Sequence, residues 1–145
     1  MTTAYRTVGC CIDRSPAADL VIDEAVRLRS QGAVDRIHLV HVVEEPPPLH
    51  AGPFTYRDPP SVLRAEGEQW LADRVASVRD AIPALLGGPR VDAVCDWAEV
   101  TDVDLLICAP RHGGFARALH GEFAGDLVYR APCPVLVLRP RPAPR

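Results

Sequence analysis

Val103–Pro140 reads VDLLICAPRHGGFARALHGEFAGDLVYRAPCPVLVLRP, and its alternation of apolar and polar segments decides the fold. The short apolar run Leu105–Cys108 is typical of a buried strand. A glycine-containing loop and an amphipathic helix, roughly over Gly121–Arg130, come next, and a second apolar strand follows at Val135–Leu138. A strand, a helix and a strand in this order indicate part of a mostly parallel sheet.

The same alternation continues through the N-terminal part of the chain. Apolar patterning predicts three more strands and three more helices, over Arg6–Ile12, Ala17–Arg29, Arg36–Val43, Val62–Asp80, Ile82–Leu86 and Val91–Val100. Ser15 is expected to be the side-chain N-cap of the first helix, with Pro16 at the first helical position. Glu44–Pro60 contains six prolines and is expected to be a long loop.

Five strands that alternate with four helices predict the fold class. It is an α/β three-layer sandwich, built on a five-stranded, mostly parallel open sheet with about four helices. We expect one domain over residues 1–140, followed by a disordered tail at 141–145.

The composition is that of a soluble protein of ordinary size. The chain has 145 residues, of which 48% are hydrophobic and 24% are charged. Its net charge of −3 argues against a nucleic-acid partner. No run of 18 apolar residues could span a membrane and the N-terminus has no secretory signal, so we expect a cytoplasmic protein. The five cysteines are odd in number and lack Cys-x-x-Cys spacing, which indicates reduced thiols.

The basic residues and histidines exclude several kinds of chemistry. The chain contains no lysine, which excludes a Walker phosphate loop, a Schiff-base lysine and the lysine of a receiver domain. His38 and His41 are three apart on a predicted strand, so their side chains should point to opposite faces and cannot chelate one metal. Cys108 and His112 lack a second ligand pair, so we expect no zinc site. No catalytic triad pattern is present.

Several short segments carry a more specific signal. CIDRSPA at Cys11–Ala17 and VHVV at Val40–Val43 end two predicted strands, and GGF at Gly113–Phe115, then Gly121, then APCPVLV at Ala131–Val137 lie near the C-terminus. In order and spacing, these segments resemble the universal stress protein family over nearly the whole chain. The resemblance implies the open α/β fold that this family shares with the adenine nucleotide alpha hydrolases. It also implies a role in stress response through binding, without enzymatic activity.

The resemblance breaks down at the residues that would hold phosphate. The family's nucleotide-binding members carry Gly-x2-Gly-x9-Gly-Ser/Thr between the last two strands. Here the first glycine falls on Cys108, the second on Arg111 and the hydroxyl residue on Glu122, and only Gly121 matches. A side chain at Cys108 or Arg111 narrows a loop that glycine keeps open. A carboxylate about 5 Å from phosphate would be repelled by roughly 3 kcal/mol at an effective dielectric constant of about 20.

The resemblance also implies where a ligand would bind. Open α/β sheets hold ligands at the carboxyl ends of their strands, and Asp13 follows the first predicted strand. The alternative for Asp13 is a loop aspartate that caps the turn before the helix. If a nucleotide is retained, the residues implied for it are Asp13, Val42, Cys108, Arg111, Gly113, Gly114, Gly121 and Glu122. ATP or another adenine nucleotide would then be the ligand.

Three interpretations of the phosphate position follow. Glu122 stands in for the phosphate, so that the site is satisfied by the chain itself. Alternatively, Arg111 pairs with phosphate and a nucleotide still binds, or the site holds a different small anion. We expect the first, and hence a protein that acts by binding without the family's usual ATP binding.

The last predicted strand bears on assembly. Val135, Leu136, Val137 and Leu138 form a bare apolar strand, which needs covering or pairing if it lies at the edge of the sheet. In the universal stress protein family the corresponding strand pairs with its copy. The resemblance therefore implies a homodimer through this strand, with a further protein partner as a second possibility.

Overall fold

The computed structural model describes residues 4–44, 60–110 and 123–140. In chain order these residues form β1 (Tyr5–Cys11), α1 (Ala17–Ser30), β2 (Val34–Val43), α2 (Pro60–Ala76), β3 (Ile82–Gly87), α3 (Arg90–Val100), β4 (Leu105–Cys108), α4 (Phe123–Arg130) and β5 (Val135–Val137). The predicted alternation of strands and helices is confirmed. Most of the proline-rich segment and the C-terminal tail lie outside the described residues.

The strands form one sheet in the order β3-β2-β1-β4-β5, and every neighbouring pair is parallel. β1 lies at the centre, where Cys10 pairs with Leu39 on one side and with Ile107 on the other. Pro83 is tolerated in β3 because β3 is an edge strand, where a missing N–H costs little. The predicted α/β fold class, with its parallel open sheet, is therefore confirmed.

Helices cover both faces of the sheet. α1 and α2 pack on one face, where Val21 and Leu71 join a buried core. α3 and α4 pack on the other face, where Val94 and Leu127 join a second core. Each such side chain contributes roughly 1.5–3 kcal/mol by its burial. In the described ranges, no helix combines the length and the apolar character that a membrane span needs.

α2 ends at Ala76, before the predicted end at Asp80. The Ser77 N–H donates to the Arg74 carbonyl at 3.2 Å, and the Val78 N–H donates to the carbonyl three residues back at 3.1 Å. These bonds close tighter turns than the α-helix does and so end its hydrogen-bond ladder. Asp80 then takes a left-handed φ of 54°. The predicted end of the helix was too late because the buried Val78 continues the apolar spacing beyond the last helical turn.

Asp104, directly before β4, ties β1 to β4. Its Oδ2 accepts hydrogen bonds from the N–H groups of Arg6 at 3.0 Å and Thr7 at 2.9 Å. The Asp104 N–H donates in turn to the Thr7 carbonyl at 2.9 Å. The carboxylate thereby satisfies backbone donors at the start of β1, a role that the sequence pattern did not predict.

Candidate functional site

The chain changes its direction across the sheet at β1. From β1 it passes through α1 to β2, and after β3 it returns to β4 on the other side of β1. The connections on the two sides of β1 therefore cover opposite faces of the sheet. In open α/β sheets, the carboxyl ends of the strands at such a reversal form the ligand crevice.

A cavity lies at this point, at the carboxyl ends of β1, β2 and β4. The described residues that line it are Cys11, Ile12, Asp13, Ala17, Ala18, Val21, Val40, His41, Val42, Arg90, Val94, Cys108, Ala109 and Phe123. Three of the predicted site residues, Asp13, Val42 and Cys108, are thus brought together. The other predicted site residues lie outside the described ranges: Arg111, Gly113, Gly114, Gly121 and Glu122.

Asp13 lies in the loop between β1 and α1 and orders that loop. Its Oδ1 accepts a hydrogen bond from the Ser15 N–H at 2.8 Å, which forms an Asx turn. The prediction of Ser15 as a side-chain N-cap is wrong, because α1 begins without a side-chain cap bond. Instead, the Ser15 carbonyl accepts from the Ala18 N–H at 3.2 Å. Asp13 therefore has the capping role of the alternative interpretation and also lines the cavity.

Cys108 forms part of the cavity wall at the end of β4. Its side chain is 1% exposed, and burial raises the pKa of its thiol to about 12. Burial also raises the pKa of Cys11, which lines the cavity as well. Both thiols are consequently protonated near neutral pH, so they act as small apolar groups and not as nucleophiles.

His41 links the cavity wall to the core beneath α2. Its Nδ1 lies 3.1 Å from the Ile12 carbonyl, so Nδ1 carries the proton and donates it. The imidazole packs against Trp70 with 4.7 Å between ring centroids. Burial is the main cause that lowers the pKa of His41, and nearby Arg14 lowers it further. The ring is therefore neutral at pH 7 and adds no positive charge to the cavity.

Arg90 is a cavity residue that the sequence analysis missed. It is the first residue of α3 and follows a turn in which Gly88 has a φ of 103°. Its Nε lies 3.0 Å from Oε1 of Glu44, and its guanidinium lies over the Phe123 ring at 5.8 Å from the centroid. The sequence carried no signal for this role, because Glu44 and Arg90 are brought together only by the parallel pairing of β2 and β3, which they follow.

The described residues offer no metal site. Among them, no three histidine, cysteine, aspartate or glutamate side chains come together in a way that could hold a metal ion. The cavity is instead an apolar chamber with an aspartate and an arginine in its wall. Such a chamber suits a small organic ligand with a few polar groups.

Comparison with known proteins agrees with this geometry. A family model described as the Universal stress protein family matches residues 4–139. No curated protein sequence matches the chain.

Solved structures share the fold at low sequence identity. The universal stress protein UspA from Lactobacillus plantarum is 20% identical, with a TM-score of 0.69, and the match covers 95% of this chain and 100% of that protein. A universal stress protein family protein from Arabidopsis thaliana with AMP bound is 18% identical, with a TM-score of 0.63 and coverage of 95% and 93%. The universal stress protein from Archaeoglobus fulgidus in complex with dAMP is 20% identical, with a TM-score of 0.61 and coverage of 94% and 100%.

Proposed function

This chain belongs to the universal stress protein family, and on that premise we propose that it acts in stress response by binding a small ligand. The ligand site is the cavity at the carboxyl ends of β1, β2 and β4, and binding does not use the family's glycine-rich phosphate loop. The cavity wall at the end of β4 carries the proposal. There Cys108 presents a buried side chain at a position where the resemblance implies glycine.

The apolar wall supports small-molecule binding. Val21 from α1, Val40 and Val42 from β2, and Val94 from α3 all line the cavity. Such a wall favours a flat or apolar ligand group, while Asp13 can accept hydrogen bonds from it. The position at the chain reversal of an open sheet supports the same conclusion.

Two features argue against ATP held in the family's manner. The Cys108 side chain takes space that glycine would leave open. The sequence also places Glu122 where the family has a hydroxyl group. A carboxylate about 5 Å from phosphate costs roughly 3 kcal/mol at an effective dielectric constant of about 20. This repulsion corresponds to more than about a hundredfold in affinity.

The chemistry of the cavity residues supports binding over turnover. The Cys108 thiol, with a pKa raised to about 12 by burial, is a poor nucleophile at neutral pH. The chain also lacks the lysine that many phosphate-transferring sites use. We therefore propose that this protein binds its ligand without enzymatic turnover and that it acts in the cytoplasm.

Calorimetric titration of nucleotide-stripped protein with ATP tests the proposal. Wild type should show no heat of binding, whereas Glu122→Ser and Cys108→Gly together should restore measurable affinity. Glu99→Ser, which removes one exposed carboxylate from α3, is the matched control and should stay silent. Micromolar ATP affinity in wild type would contradict the proposal.

An adenine-nucleotide sensor is the second candidate. Asp13 and Val42 lie together in the cavity, and two proteins of similar fold are known with AMP and dAMP bound. If this candidate is correct, wild type binds ATP and Asp13→Asn loses most of that affinity. Asparagine keeps an oxygen that can accept the Ser15 N–H, so the β1–α1 loop should be preserved and only the charge removed.

We also propose that the protein is a homodimer through β5, which is an edge strand of the sheet. The Leu106 N–H donates to the Pro134 carbonyl and the Leu138 N–H to the Cys108 carbonyl. Since backbone groups alternate along a strand, those of Val135 and Val137 point away from β4. Leu138, predicted as the last residue of this strand, follows its end at Val137 and is bonded to β4.

Val137→Pro tests the dimer. Proline removes an outward N–H and leaves the bonds to β4 intact, so the variant should sediment as a monomer where wild type sediments as a dimer. Val137→Ala keeps the N–H and should remain dimeric. A monomeric wild type, or a dimeric Val137→Pro, would show that β5 is not the interface.

A further inference from the structure

Arg90 connects the cavity to a polar groove at the N-terminal end of α3. Arg90 and Phe123 line both spaces, and the groove adds Glu44, Asp92, Asp126 and Arg130. A ligand body in the apolar cavity would therefore lie next to a groove in which charged groups of the protein are already placed. These charged groups determine which charge a ligand could carry in the groove.

The Arg90 guanidinium is held in place on two sides. Glu44 approaches it with Oε1 at 3.0 Å from Nε and Oε2 at 3.5 Å from Nη2, while the Phe123 ring lies 5.8 Å away. The Arg90 side chain is 24% exposed, and that of Glu44 is 54% exposed. The guanidinium is thus oriented and partly desolvated, whereas the carboxylate that it binds is free to turn into solvent.

We propose that Arg90 is the anion-binding residue of this cavity and that Glu44 occupies it until an anionic ligand displaces the carboxylate. This inference rests on the proposed binding of a small ligand in the cavity. A guanidinium presents paired donors that match the oxygens of either phosphate or carboxylate, so both anions fit the site. The ligand would be a molecule with an apolar body and an oxyanion that reaches Arg90.

The charge of the groove explains why displacement is needed. Arg90 and Arg130 face three carboxylates, those of Glu44, Asp92 and Asp126, and Arg130 is already paired with Asp92. With Glu44 in place, the described residues of the groove carry a negative excess that repels an incoming anion. When Glu44 turns away, Arg90 becomes available, and a partly exposed ion pair of this kind is weak enough to break.

The experiment compares three probes on the full-length protein by NMR titration at low salt. AMP carries a phosphate, adenosine 5′-carboxylate carries a carboxylate, and adenosine carries no anion. The variants are Arg90→Gln, Glu44→Gln and, as a matched control, Glu24→Gln. Glu24 is paired with Arg27 on α1, so its substitution removes one carboxylate and breaks one ion pair outside the residues that line the cavity.

Glu44→Gln should raise the affinity for the anionic probes by roughly fivefold, the factor equivalent to an exposed ion pair. Arg90→Gln should lower it by about tenfold or more, since hydrogen bonds to charged groups are strong. Adenosine should bind all variants within about twofold of wild type. Glu24→Gln should match wild type for every probe. The anion that wild type binds more tightly relative to adenosine is the preferred group.

The outcomes separate this inference from the proposed function. If adenosine shifts the resonances of Val40 and Val42 but neither anion responds to Arg90→Gln or Glu44→Gln, the role of Arg90 is overturned and cavity binding stands. If none of the probes shifts these resonances in any variant at millimolar concentration, the inference is overturned, whereas the proposed function is judged separately by the calorimetric titration with ATP.

Discussion

Each face of the sheet holds a histidine against a tryptophan, and the pair on the α2 face reaches the cavity. On the α3 face, the rings of His38 and Trp97 lie 5.4 Å apart, and on the α2 face those of His41 and Trp70 lie 4.7 Å apart. His41 also bonds to the Ile12 carbonyl and lines the cavity, whereas His38 is not among its described lining residues. The same type of contact therefore supports packing on one face and joins packing to the site on the other.

A glycine permits close packing on each face, but from a different element. A Cβ on Gly9, in β1, would lie 2.8 Å from both Trp97 and Leu106. A Cβ on Gly67, in α2, would lie 2.8 Å from Cγ2 of Val43. The Trp97 ring is rigid and Leu106 is fully buried, whereas Val43 is partly exposed at the end of β2. The same distance should consequently cost more on the α3 face.

Gly9→Ala should give the largest effect, a loss of about 2 kcal/mol in the free energy of unfolding. The added methyl group collides with a rigid ring in a packed core, and such overpacking costs roughly 1–3 kcal/mol. Urea unfolding at a fixed protein concentration measures the loss. Gly87→Ala is the matched control, because nothing lies within 4 Å of a Cβ at Gly87. Equal stability of the two variants would show that the α3 face is not tightly packed at β1.

Gly67→Ala should give a smaller loss, up to about 1 kcal/mol. The collision with Val43 is offset because alanine favours a helix over glycine by about 1 kcal/mol. A double-mutant cycle with Val43→Ala sharpens the test, since it removes the methyl group that the new Cβ would meet. In the Val43→Ala background, Gly67→Ala should become stabilising. If it stays destabilising there, the clash with Val43 is not the cause.

The two histidines show what the sequence could predict. Their three-residue spacing on one strand predicted opposite faces, and the contacts with Trp97 and Trp70 confirm this. Apolar runs and helical periodicity predicted every described strand and helix, because both reflect burial within a single element. The order of the strands in the sheet depends on how several elements pair with one another, so no pattern within one segment predicts it.

Arg90 and Asp104 show what the sequence could not predict. Each stands next to an element end, where a charged residue is ordinary and carries no periodic signal. Their roles come from partners that are distant in the chain, Glu44 for Arg90 and the backbone of Thr7 for Asp104. Only the register of the parallel strands brings these groups together.

The smallest expected effect distinguishes the two faces by pH. Burial lowers the pKa of both His38 and His41 below the ordinary value of 6.5, and Arg36 adds to this at His38. The unfolded chain then binds more protons than the folded one, so their contribution to stability is complete above about pH 6.5 and is lost as the pH falls through the folded pKa values. His38→Gln and His41→Gln should each reduce this loss in urea unfolding between about pH 7.5 and 5, a range that spans the ordinary histidine pKa. Because only His41 of the two lines the cavity, only His41→Gln should also change how ligand affinity depends on pH. If the double variant loses as much stability as wild type over this range, the two half-buried rings are not its source.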